Sequence, residues 1–319
     1  MTKRLALTKN GRLTYCIVSK ENISKGRCNH IVHQGVNETD EDFISRSSKI
    51  MLQHIDENYK QELYNLNFNE KRDMIKSNEN LDIFISDEDS NVRVAVAEQG
   101  YGLDKLINDE DRFVRAAVAE QGYGLDKLVN DKTWDVRREV AKQGYSLDKL
   151  INDKSWQVRE AVAKQGYSLD TLINDSNDYV RATIVEKGYG LDKLINDEDE
   201  DVRCAVAKQG YGLDRLVNDE SEYVRREVAR QGYGLDQLIN DESWKVRVAV
   251  AEKGYGLDEL INDENTDVRR AVTTQGYGLN KLINDEDRFV HDSACDYLKK
   301  NSMTLEQWKE KYPDRVIEK

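Results

Sequence analysis

Cys16, Cys28, His30 and His33 bring two thiols and two imidazoles into 18 residues of a chain that holds only four cysteines and four histidines. Thiolate sulfur and imidazole nitrogen are the ligands of a closed tetrahedral zinc site, and such an ion would help a small fragment hold its shape. The spacing matches no strong zinc-finger pattern, so two readings stand: a structural zinc, or ordinary thiols and histidines. A catalytic zinc is a poorer fit, because all four ligands would be used and no open position would remain. His291 and Cys295 lie four apart on an expected helix; they read as packing in an end cap rather than as a metal pair. The cysteines are too few and too scattered for a disulfide framework.

Motifs of catalysis are missing. Gly-Tyr-Gly recurs, but it lacks the third glycine and the preceding strand of a dinucleotide loop, and neither Gly-x-Ser-x-Gly nor His-Glu-x-x-His occurs. The expectation is a protein that is not an enzyme.

The elements that position these residues are organised by a repeat. Val-Arg recurs every 22 residues from Val92-Arg93 to Val268-Arg269, and Gly-Tyr keeps the same step from Gly100 to Tyr277. A fixed period of this size is the signature of units that bury a core only by stacking. Within one unit, Asp109 reads as a helix N-cap, Glu110 and Asp111 suit the first turn, and Gly122 suits a left-handed end. That predicts a helix over about 110–121. Val114, Ala117 and Val118 form its buried stripe, and Tyr123 folds back toward Val118. Leu125, Leu128 and Val129 follow in a segment long enough for one turn, α or 3₁₀. The fold class expected is an all-α solenoid of 22-residue units, about ten in number over 78–291.

Two polar columns change at the end of the array. The Leu-Asp carboxylate becomes Asn280 and the Val-Arg guanidinium becomes His291, whereas the Asp109 column persists to Asp285. This predicts an inter-unit ladder joining Arg115, Arg137 and Arg159 to Asp104, Asp126 and Asp148, with Asp109 and its equivalents as local caps.

The wording Leu-x-x-Leu, Asp, Val-Arg, Ala-Val-Ala resembles the bacterial leucine-rich repeat variant, a HEAT-like family. That resemblance covers about 78–291 and implies α and 3₁₀ helices alternating along a right-handed superhelix, with binding as the usual role. The chain departs from the family between helices, where Gly-Tyr-Gly or Gly144-Tyr145-Ser146 replaces the family's Asn-Pro and Thr-Pro.

Flanking segments differ. Over 1–37, strand-like runs on either side of Lys9-Asn10-Gly11 predict a β-hairpin module. Residues 38–77 read as a helical N-terminal cap opened by Thr39, and 292–319 as a helical C-terminal cap with a Thr304–Gln307 capping box.

Partner chemistry lies in the columns that vary. Trp134, Trp156 and Trp244 share one position near the helix start, and Phe113, Tyr179, Tyr223 and Phe289 share the next. Such rings are either interface anchors or a seam between units. With Arg138, Lys142 and Lys164 they form the candidate partner-binding set, for which a protein is the expected partner. A net charge of −13 argues against broad nucleic-acid binding, although Lys105, Lys127, Lys149, Lys193 and Arg215 form a basic column. Two alternatives are an acidic mimic of nucleic acid and a DNA- or RNA-binding repeat protein. No long apolar run or secretion signal occurs, so the expected location is the cytoplasm.

Overall fold

The computed structural model describes residues 38, 39, 41–43, 45, 46 and 60–317, and the backbone of 2–7, 13–18 and 30–33. They form two bodies, Met1–Leu128 and Val129–Lys319. At the N-terminus, β1 (Thr2–Leu7) and β2 (Leu13–Val18) pair antiparallel, from Thr2 opposite Val18 to Leu7 opposite Leu13. β3 (His30–His33) pairs antiparallel with β2, Cys16 lying opposite Ile31. The Asn10-Gly11 turn and Cys28 lie outside the described residues, as do the side chains of Cys16, His30 and His33.

The rest of the described chain is helical. Each unit is one long helix and one short one, as in Arg112–Glu120 and Leu125–Leu128. Within each body, successive long helices pack against one another. Val114 and Val118 are fully buried and Leu128 nearly so, which places the apolar stripe where its i, i+4 spacing puts it. At the helix end, the Gly122 amide donates to the Ala119 carbonyl at 2.9 Å and the Tyr123 amide to the Val118 carbonyl at 3.3 Å. These close the helix around Gly122, whose φ is +74°.

One local expectation needs correction, and one choice left open by the sequence is decided. The long helix begins at Arg112 with Asp111 as its N-cap, accepting from the Phe113 amide at 2.7 Å; Asp109 is not the cap, because its carboxylate is engaged elsewhere. The short element is an α turn rather than 3₁₀, with the Leu128 amide donating to the Gly124 carbonyl at 3.0 Å, although the Lys127 amide reaches that carbonyl too.

The ends are capped. Thr39 Oγ1 accepts from the Asp42 amide at 3.2 Å, and Phe43 is fully buried. The last long helix extends through Arg288–Lys300, and Leu305–Lys311 follows with the Thr304–Gln307 box formed in both directions. His291 Nδ1 bonds to the Ile283 carbonyl at 2.5 Å, while Cys295 Sγ lies 3.5 Å from His291 Nε2. Among the described residues no third metal-ligating side chain joins them.

Candidate functional site

The polar ladder exists with a different acidic partner. Arg137 forks onto Asp153 of the next unit through Nε at 2.6 Å and Nη2 at 2.7 Å, and its Nη1 donates to the Asp131 carbonyl of its own unit at 2.7 Å. Arg93–Asp109, Arg159–Asp175, Arg181–Asp197, Arg203–Asp219, Arg225–Asp241, Arg247–Asp263 and Arg269–Asp285 repeat the pair. Arg115 makes the own-unit contact, donating to the Asp109 carbonyl at 2.7 Å. The carboxylates of Asp104, Asp126 and Asp148, expected in this ladder, are exposed instead. Their column opens the short helix, on the surface beside the Gly-Tyr turn.

Each acid is a node. Asp153 also accepts from the Ser155 amide at 2.9 Å. Burial pushes the carboxyls of Asp109, Asp153 and Asp285 up, but the arginine fork and the amide bond outweigh it and hold them below the ordinary value. The carboxylate in turn raises the guanidinium. The ladder is therefore architecture: it joins successive units.

The long-helix face carries the aromatic row. Phe113 is 55% exposed in the first body; in the second, Tyr179, Tyr223, Trp244 and Phe289 are 57, 41, 39 and 70% exposed. Trp134 and Trp156 are half-buried. The rings differ in setting: Trp156 stacks on Tyr179 of the next unit at 5.0 Å, as a seam between units requires, whereas Trp244 faces a mainly apolar cleft of about 320 Å³ with Val248, Ala271 and Thr274. Cations lie over several rings, Arg112 on Phe113, Arg138 on Trp134, and both Arg226 and Lys245 on Tyr223.

The three basic candidates are locally neutralised. Arg138 and Lys142 share Glu139 at 2.9 and 3.0 Å, and Lys164 pairs with Glu160 at 2.7 Å. A phosphate would have to displace these carboxylates. Further along, the carboxylates of Asp178, Asp199 and Asp201 gather within 4.8 Å of one another, making the middle of this body acidic. In the basic column, Lys127 Nζ donates to Asn108 Oδ1 of the preceding unit, and Arg215 borders a polar cleft of about 520 Å³ with Asn196 and Glu198.

A contact near the C-terminus has no counterpart in the repeat pattern of the sequence. Asn280 Nδ2 donates to the Ile317 carbonyl at 2.8 Å and its Oδ1 accepts from the Ile317 amide at 3.1 Å. The Gly278 amide donates to the Arg315 carbonyl at 2.9 Å, and Arg315 Nη1 to the Gln275 carbonyl at 3.1 Å. The exchange of Asp for Asn at 280 marks this place, since pairing with one backbone amide needs a donor and an acceptor and a carboxylate offers only acceptors.

No family model and no curated protein matches the sequence. Among solved structures, Escherichia coli YibA is similar over 76% of this chain and 96% of its own, at 17% identity and a TM-score of 0.28. A designed armadillo repeat protein in complex with a (KR)4 peptide covers 72% of this chain and 98% of its own, at 16% identity and a TM-score of 0.17. Scores this low assign neither family nor function; the repeat-helical architecture rests on the chain's own geometry.

Proposed function

We propose that this protein is a non-catalytic scaffold or inhibitor that grips a protein partner along the long-helix face. The observation that carries the reading is the aromatic row. Tyr179, Tyr223, Trp244 and Phe289 stay exposed at neighbouring positions in four units, with the ringless helices Glu200–Lys208 and Thr266–Thr274 between them; neither core nor ladder requires a ring there, and aromatic residues are the usual anchors of interfaces. Trp134, Trp156, Arg138, Lys142 and Lys164 complete the proposed contact in the second body, and Phe113 is proposed separately as a partner-binding residue of the first. Kinship with the leucine-rich repeat variant, a right-handed superhelical path, a β-hairpin module at 1–37 that takes a structural zinc on Cys16, Cys28, His30 and His33, and a cytoplasmic location belong to the same proposal. Among the described residues no helix is long and apolar enough to cross a membrane.

The acid cluster favours a second reading. With a net charge of −13 and Asp178, Asp199 and Asp201 on that face, the partner would itself be a nucleic-acid-binding protein and the scaffold a mimic of phosphate. Direct binding of DNA or RNA is disfavoured by the pairing of Arg138, Lys142 and Lys164. The test is alanine replacement of Trp134, Trp156 and Trp244 together: partner affinity falls if the row is the contact, and an unchanged affinity removes it.

A further inference from the structure

In the last unit, the turn surface is occupied by the chain's own tail, a 3₁₀ turn over Pro313–Arg315 that passes into extended backbone at Val316. Arg315 reaches the Gln275 carbonyl, the cap of the helix Thr266–Thr274, while the Ile317 backbone pairs with Asn280 two residues later. An Arg on that carbonyl sits at the negative end of a helix dipole. The tail changes the surface beneath it: Gly278 and Leu279 are buried, whereas their equivalents one unit earlier, Gly256 and Leu257, are half-exposed and Asp258 is exposed.

Among the described residues, the preceding units repeat this surface without a segment of the chain upon it. Each presents the C-terminal carbonyls of a long helix, an exposed tyrosine such as Tyr211 or Tyr233, and the carboxylate of Leu-Asp. Asp148, Asp170, Asp192, Asp214, Asp236 and Asp258 are all exposed within one body. A cleft of about 360 Å³ runs on from Arg315 to Gly254, Gly256 and Asp258, so the occupied copy is continuous with an open one. Where Asn280 supplies a donor and an acceptor to a backbone amide, the aspartates supply acceptors only, and their ligand must bring donors with positive charge.

We propose that the turn surface of the second body binds an extended, arginine-bearing segment of a partner protein, and that the tail occupies the last copy in the same manner. This site is separate from the aromatic row and stands whether or not that row is a contact. Packed helices are about 8–10 Å apart and an extended chain advances about 3.3 Å per residue. One unit therefore meets about three residues, and a ligand crossing four units needs about twelve.

The probe is a fluorescein-labelled peptide of about twelve residues in which arginine alternates with alanine, titrated with the full chain by anisotropy at low salt. One variant carries Asp148→Asn, Asp170→Asn, Asp192→Asn and Asp214→Asn; a control of equal charge change carries Glu198→Gln, Glu220→Gln, Glu242→Gln and Glu264→Gln, whose side chains are about nine-tenths exposed on the loops beside the ladder. The expected result is saturable binding by the unaltered chain, weakened about tenfold by the aspartate variant and less than about twofold by the control. Equal weakening in both variants means bulk charge attraction and overturns the proposal, as does failure of the unaltered chain to bind the peptide. Both variants should keep the helical circular dichroism of the unaltered chain, since every altered side chain is exposed.

Discussion

Arg159 and Asp175, sixteen residues apart in consecutive units, meet as a two-point fork with Nε–Oδ2 and Nη2–Oδ1 distances of 2.5 and 2.7 Å. The same guanidinium donates to the Asp153 carbonyl at 2.8 Å, so one side chain ties two units together. Arg159→Ala should cost about 3–5 kcal/mol in urea unfolding, the usual result of leaving a buried partner uncompensated. Arg159→Lys should cost less, because Lys71 holds Asp87 at 2.7 Å at the equivalent position near the start of the array. A loss below about 1 kcal/mol for the alanine variant would mean that the rung behaves as a surface pair.

Acid should dissolve the ladder. The carboxyls of Asp109, Asp153 and Asp285 lie below the ordinary 3.8 in the folded chain. As pH falls, the unfolded chain takes up these protons first. The stabilisation is therefore complete at neutral pH, begins to fall near pH 4, and disappears as pH drops through the lowered folded values. Thermal midpoints measured from about pH 7 to about pH 2.5 should show that descent. A midpoint constant over the whole range would contradict it.

Much of this architecture was legible in the sequence. The 22-residue step, the Val114 and Val118 stripe and the left-handed Gly122 follow from spacing and turn chemistry. The ladder's acid did not. Asp104 and Asp109 recur with equal regularity as far as Asp258 and Asp263, and the change to Asn280 pointed to the wrong column because its cause was the tail. A better signal was available in the offset of the columns. The cations run from Lys71 to Arg269 and the aspartates from Asp87 to Asp285, while His291 would have needed an acid at 307, where the chain has Gln307. Tail docking had no periodic signal, since it occurs once.

The serines of the left-handed column offer a stabilising change. Ser168 has φ +49°, whereas Gly190 and Gly212 fill the same place in the next two units with φ +64° and +58°. A side chain in this conformation costs about 1–2 kcal/mol. Ser168→Gly should recover about 1 kcal/mol after its greater unfolded-state entropy is included. A destabilised variant in urea titration would show that the serine is held by more than it strains.

The tail should depend on one amide. Asn280→Asp removes the donor to the Ile317 carbonyl and sets a negative charge against that oxygen, a loss of about 1–3 kcal/mol at that contact. Limited trypsin digestion should then cut after Arg315 several-fold faster, with the repeats still resistant. Unchanged cleavage would mean that the Gly278 and Gln275 bonds hold the tail by themselves.

Affinity capture from host lysate shows whether the long-helix face grips a protein. Unaltered chain and the Trp134→Ala, Trp156→Ala, Trp244→Ala variant would be compared with and without nuclease, and retained proteins quantified by mass spectrometry. A protein partner should survive nuclease on the unaltered chain and fall at least about tenfold on the variant, the effect of losing anchor residues worth about 1–2 kcal/mol or more. Equal retention by both chains, or recovery that vanishes with nuclease, would contradict it.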